Sequence, residues 1–248
     1  VVAGIEEGEF RDRSSLRLPG SQENLIRAVA ATGTPVVVVI VGGAPVTMSE
    51  WIDSVGAVLM AWYPGEAGGD ALADIIFGAQ DPGGRLPVTF PLDEGQLPLY
   101  HKPTGRGDDY LDLAGRPLFP FGFGKSYTSF EYSGMTLSTD TIGIGESVSV
   151  SFQVRNTGMR RGVAVPQLYL RDRLASIAQP VMMLRKSARM ELEPGEERAV
   201  EWILSPEDLS LLDIGMERVV EPGSFRIMVG ESSRDIRTAG DLHVAERD

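Results

Sequence analysis

With 248 residues, 42% hydrophobic and 23% charged, the chain is long enough for one large or two ordinary globular domains with a core that needs no covalent staples. A net charge of −12 without any basic stripe argues against nucleic acid as a partner, and no apolar run reaches the ~18 residues of a membrane span. Zero cysteines exclude disulfides and thiolate metal sites, and the two histidines, His101 and His243, stand far apart, so no His-based zinc site is expected.

The first residues, VVAGI, read as a buried strand with no start methionine and no charged leader ahead of it, and the chain is therefore expected to be the C-terminal part of a longer protein. GIEEGEFRDRSSL follows, with Glu6, Glu7 and Glu9 ahead of Arg11, Asp12 and Arg13. Clustered carboxylates at a strand end suit general acid–base work, because mutual repulsion and burial raise a carboxyl toward neutrality. The competing reading is a solvated loop whose acids pair with the two arginines, and composition alone favours it.

SQENLIRAVAATG then reads as a helix. Ser21 is placed as N-cap, Leu25, Ile26, Val29 and Ala30 form the apolar face, and Gly33 is the stop. PVVVVIVGG is a second buried strand, SEWIDSV a short helix and GAVLMAWY a third strand. GEAGGDALADIIFG reads as a helix with Ala71, Leu72, Ile75 and Ile76 on one side and Gly78 at its end. Its Gly-rich entry either holds an anion or packs helix on strand, and packing is preferred because no Gly-Lys-Ser/Thr follows. Such strand–helix repetition implies a mostly parallel sheet with flanking helices and a ligand site at the carboxyl ends of the strands.

Residues 91–131 are rich in Pro, Gly and aromatics and read as an ordered linker or functional loop. Within it, TGRGDDYLD offers Arg106, Asp108 and Asp109 as hydrogen-bonding candidates for substrate, or is a plain solvent loop. The Arg106-Gly107-Asp108 triplet is too short to signify adhesion. From about 132 the period becomes two, as in Val148, Val150, Phe152 and Val154, with turns at Asn156-Thr157-Gly158 and Glu193-Pro194-Gly195. An antiparallel β-sandwich over 132–248 is expected, with Trp202 in strand packing rather than on a sugar platform.

LPGSQENLIRAVAATGTPVVVVIVGGAPVTM, AVLMAWYPGEAGGDALADIIFGAQDPGGRLPVTFP and PLFPFGFGKSYTSFEY together resemble glycoside hydrolase family 3. VPQLYLRDRLASIAQPVMMLRKSARMELEPGE is similar to the fibronectin type III-like domain that follows in many members. The resemblance implies a fold class of α/β plus all-β. Residues 1–90 would be the C-terminal α/β sandwich domain, truncated at its start, residues 91–131 the linker, and 132–248 the fibronectin-like domain.

It further implies a retaining, exo-acting β-glycosidase acting on a β-linked oligosaccharide or aryl glucoside. A β-glucosidase is the first choice and a β-xylosidase the second. The nucleophilic aspartate would lie on an N-terminal (β/α)8 barrel absent from these residues. By the spacing of Gly8-Glu9 four residues ahead of Arg13, the resemblance assigns Glu9 as acid/base, with Glu7 the runner-up and Asp12 and Arg13 orienting the loop. These residues alone are then expected to be inactive, and the whole protein periplasmic or secreted. The alternatives are a non-catalytic carbohydrate-binding or scaffolding module, and an inactive relative that keeps only the fold.

Overall fold

The computed structural model describes residues 1–99 and 110–246, which divide into two units. Among the described residues, 1–80, 88–99 and 110–119 form the first, and 81–87 and 120–246 the second. The segment expected as a linker is thereby shared out: 91–99 and 110–119 belong to the first unit and 120–131 to the second.

In the first unit β1 (Val2–Gly4), β2 (Val37–Val41) and β3 (Ala57–Trp62) form a parallel sheet in that order, with Val2 opposite Val39 and Val38 opposite Val58. The β-branched run of β2 suits the central position, and Val38, Val39 and Ile40 are buried. Helix α1 (Gln22–Ala30) buries Ile26, and its Gln22 side chain exchanges two hydrogen bonds with the main chain of Gly4, at 2.7 and 2.9 Å. Ser21 stands at the N-cap position, but its side chain makes no cap bond: with φ −99° and ψ 12° the backbone departs from the extended form that aims a capping oxygen at the first turn.

The expected short helix in SEWIDSV is a single 3-10 turn, Ile52–Ser54. Helix α2 (Gly68–Ile76) begins as the glycines imply, for a Cβ at Gly68 would lie 2.6 Å from the Pro64 ring. Its apolar side, expected to pack on the sheet, buries none of Ala71, Leu72, Ile75 and Ile76; Gly68 is the helix's buried residue, and Ile76 and the following Phe77 are exposed. It follows β3, an edge strand that is itself only half-buried.

The second unit is antiparallel except at one edge, where residues 141–143 pair in parallel with 243–245. β4 (Phe130–Leu137), β5 (Thr141–Gly143), β6 (Val148–Asn156), β7 (Gly162–Ala164), β8 (Gln167–Asp172), β9 (Met183–Ser187), β10 (Met190–Leu192) and β11 (Glu197–Leu204) precede a short helix, α3 (Pro206–Leu209). The hairpin β12 (Leu211–Leu212) and β13 (Arg218–Val219) and the long pair β14 (Gly223–Ser232) and β15 (Asp235–Ala245) complete it. A three-stranded sheet runs β11-β6-β4 and a five-stranded one β5-β15-β14-β8-β9, while β7 pairs with β10 and β12 with β13. The inward set of β6 (Val148, Val150, Phe152, Val154) shares one core with Leu168 and Leu170 of β8 and Phe225 and Ile227 of β14. Trp202 meets Phe152 edge to face at 5.1 Å, the strand-packing role read from its alternation.

Two polar residues organise the approach to this core. Asp81 accepts from Ser126 Oγ, Tyr127 N and Val163 N at 2.7–2.9 Å. Asn156, fully buried, donates to the carbonyls of Arg160 and Leu192 and accepts from Thr128 Oγ1 and Gly158 N.

Candidate active site

Because β1, β2 and β3 are parallel, the loops after Gly4, Val41 and Trp62 emerge on the same side of the sheet. Ile5 extends the ladder by one bond, N–H to Val41 O at 2.9 Å, and then the acidic stretch begins. Its three glutamates have three different surroundings.

Glu6 pairs in solvent with Arg11. Glu7 is tucked inward: Oε2 accepts the Gly43 N–H at 2.5 Å and Oε1 pairs with Arg13 Nη2 at 2.8 Å. The two side chains are only 14% and 17% exposed, and Arg13 Nη2 also donates to Pro45 O at 3.3 Å. One carboxylate thus joins the loop after β1 to the loop after β2.

Glu9 stands at the tip of a turn closed by Arg11 N donating to Gly8 O at 3.0 Å. The turn holds Phe10 at φ 65° and 92% exposed, an uncommon left-handed conformation for a bulky residue and one that recurs at ligand sites. Glu9 is exposed, and among the described residues it makes no hydrogen bond or ion pair; the same holds for Asp12.

Beyond the tip the chain is fastened again. Glu94 accepts from Ser15 Oγ at 2.5 Å and from Leu16 N at 2.9 Å. Thr47 N donates to Leu16 O, and Arg17 grips Glu50 with two bonds at 2.5 and 2.6 Å and Glu23 with one at 2.6 Å. The Arg17 hydrogen bonds hold the Glu50 carboxyl below its ordinary value. Glu94 lies in a 3-10 turn, Glu94–Gln96, capped by Asp93, so part of the Pro-rich segment is a prop for the acidic loop.

An open groove of about 550 Å³ runs beside the turn, lined among others by Glu7, Arg11, Asp12, Arg13, Gly43 and Tyr63. Tyr63 reaches it because Trp62, at φ 52°, swings the chain at the end of β3. Its ring lies so close over Gly43 that a Cβ there would sit 2.8 Å from the phenol oxygen.

Gly43, Pro45, Tyr63 and Glu94 were not singled out in the sequence. The first three follow strand ends, a signal that could have found them; Glu94 reaches its partners from 79 and 78 positions away and carries no local signal. Arg106, Asp108 and Asp109 lie outside the described residues. No group of three or more His, Cys, Asp or Glu among the described residues is placed to hold a metal ion.

Comparison with known proteins adds the decisive observation: residues 1–127 match the glycosyl hydrolase family 3 C-terminal domain. The chain belongs to glycosyl hydrolase family 3. The acidic loop follows β1 within the matched residues, and residues 164–233 match a fibronectin type III-like domain. Among family 3 relatives, a β-xylosidase of Formosa agariphila is 40% identical over 93% of this chain, and a periplasmic β-glucosidase of Salmonella typhimurium 37% over 96%. A β-glucosidase from Listeria innocua, solved in complex with glucose, superposes with a TM-score of 0.93 at 35% identity over 98% of the chain. The chain spans about a third of the length of each: 33%, 33% and 36%.

Proposed function

We propose that this chain is the acid/base-bearing portion of a retaining, exo-acting β-glycosidase, with Glu9 as the acid/base. The observation that carries the reading is the contrast between two neighbours. Both oxygens of Glu7 are engaged, whereas the Glu9 carboxyl is exposed and without a partner among the described residues, on a turn whose Gly8, Arg11 and Asp12 line the groove while Glu9 itself does not. A general acid has to meet the glycosidic oxygen at hydrogen-bond distance, and an engaged, inward carboxylate is poorly placed for that.

In the reaction a carboxylate from elsewhere in the protein attacks the anomeric carbon, the bond to the leaving oxygen breaks, and the Glu9 proton passes to that oxygen. The Glu9 carboxylate then takes a proton from water as the water oxygen bonds to the anomeric carbon and displaces the nucleophile. Relatives named β-glucosidase and β-xylosidase support a terminal β-linked glucose, or else xylose, as the sugar. The periplasmic relative supports a periplasmic or secreted location, and no helix among the described residues is long and apolar enough to cross a membrane. The same reading keeps 1–90 as the α/β part, 91–131 as the joining segment and 132–248 as the fibronectin-like part, supported by antiparallel strands that start at Phe130.

Glu9→Ala in the complete protein tests the assignment. Turnover of aryl β-glucosides with poor leaving groups is expected to fall by roughly 10²–10⁴-fold. Azide, which fits the vacated space and needs no base, is expected to restore deglycosylation and yield a β-glycosyl azide. Unchanged rates on poor leaving groups would overturn the assignment.

A further inference from the structure

We propose that Glu7 and Arg13 are positioning residues, a shielded brace that sets the height and direction of the turn carrying Glu9. The proposal rests on the reading of Glu9 as the acid/base. Exposed ion pairs contribute little to anything, but this one is largely covered, and its members draw on backbone groups from a second loop, the N–H of Gly43 and the carbonyl of Pro45. It fastens the chain on both sides of the turn, at residue 7 and at residue 13.

Between those points lie residues 8–12, and none of them is buried. The five-residue tip therefore has no packing of its own to fix it, and Phe10 projects into solvent. Without the brace, the nearest fastenings to the rest of the unit are the Ile5 ladder bond and the Glu94 contacts to Ser15 and Leu16, and 6–14 keeps only its internal contacts, Glu6 with Arg11 and Arg11 N with Gly8 O. Nine residues can shift their midpoint by several ångströms, while a reacting proton donor has to be held to within about 1 Å, a misplacement that costs on the order of 100-fold.

Both residue types are required. Asp at position 7 is one methylene short of spanning Arg13 and Gly43 together. Gln at 7 keeps an acceptor for Gly43 but turns an amide N–H₂ toward a guanidinium. Lys at 13 replaces the planar fork with a single ammonium that cannot serve Glu7 and Pro45 in the same geometry.

The test uses the complete protein and three variants, Glu7→Gln, Arg13→Lys and Glu9→Ala, with Glu7→Gln/Glu9→Ala as the double. Glu7→Gln and Arg13→Lys are expected to lower kcat by about 10–100-fold on poor leaving groups, with KM moved less than about 3-fold. On an activated aryl glucoside that departs without protonation, glycosylation is expected to stay within about 3-fold of wild type. Azide should not rescue either variant, because the Glu9 carboxylate is still present.

In the Glu9→Ala background, Glu7→Gln is expected to cost no further activity, since a residue acting through Glu9 has nothing left to position. A Glu7→Gln loss that persists undiminished in that background, or wild-type kinetics from both Glu7→Gln and Arg13→Lys, would overturn the brace. Should Glu7→Gln fold poorly, Arg13→Lys carries the same cycle. If Glu9→Ala itself retains full activity on poor leaving groups, the acid/base assignment has failed, a different result from failure of the brace.

Discussion

Glu94 receives the hydroxyl of Ser15 at 2.5 Å and the amide of Leu16 at 2.9 Å across 79 and 78 residues of sequence. A partly buried carboxylate with two donors from one loop acts as a peg: removing it strands both donors and frees the outgoing side of the acidic stretch. Glu94→Ala is expected to destabilise the first unit by about 1–3 kcal/mol, while Glu94→Gln, which keeps an acceptor, costs less than half as much. Thermal or urea denaturation of the two variants checks the order. Equal stability of wild type and Glu94→Ala would contradict it.

The 248 residues by themselves are expected to show no turnover of an aryl β-glucoside. Retaining hydrolysis takes two carboxyls about 5–5.5 Å apart on opposite sides of one glycosidic bond, and Glu9 is the one this chain is proposed to supply. A purified sample with a measurable, Glu9-dependent rate would show that a second carboxylate of the chain serves as nucleophile.

Asn156 uses both amide hydrogens and its carbonyl in a fully buried position, with four partners from three segments. Replacing it by alanine leaves Thr128, Gly158, Arg160 and Leu192 with unmet polar groups away from water. A loss of about 2–4 kcal/mol follows, read from the urea midpoint.

Glu231 supplies a pH-dependent case. Burial pushes its carboxyl up from the ordinary value, an effect that Arg237 and Arg85 partly offset. The folded state therefore binds the proton more tightly than the unfolded state. At low pH both states are protonated and the group costs nothing; as pH rises past the ordinary value of 4.5 the unfolded chain ionises more readily and stability falls. Glu231→Gln is expected to raise Tm relative to wild type at pH 8, with the gain shrinking toward pH 4. A gain that is the same at both values would dissociate it from ionisation.

The sequence disclosed the fold class because its periodicities are strong: unbroken β-branched runs over 36–41 and strict alternation over 148–154 have few other solutions. Ser21 shows where local rules stop, since its residue type suits a cap but the backbone that precedes α1 is bent away from the capping conformation. The apolar residues of α2 were legible as a face, but periodicity does not say what covers a face, and Phe77 at its end is 87% exposed. At the site, the acids and their spacing were plain in the sequence. That Glu7 faces inward and Glu9 outward was not, because the difference depends on the Gly43 amide and the Pro45 carbonyl, reached only through the pairing of β1 with β2.

The tip formed by residues 8–12 places no side chain in the interior. Folding is therefore nearly indifferent to what those five positions contain, and whatever restricts them acts through turnover alone. In a saturation scan of the complete protein, cellular abundance should run flat across 8–12 while hydrolysis collapses at Glu9. At Glu7 and Arg13, where burial begins, both profiles should dip together.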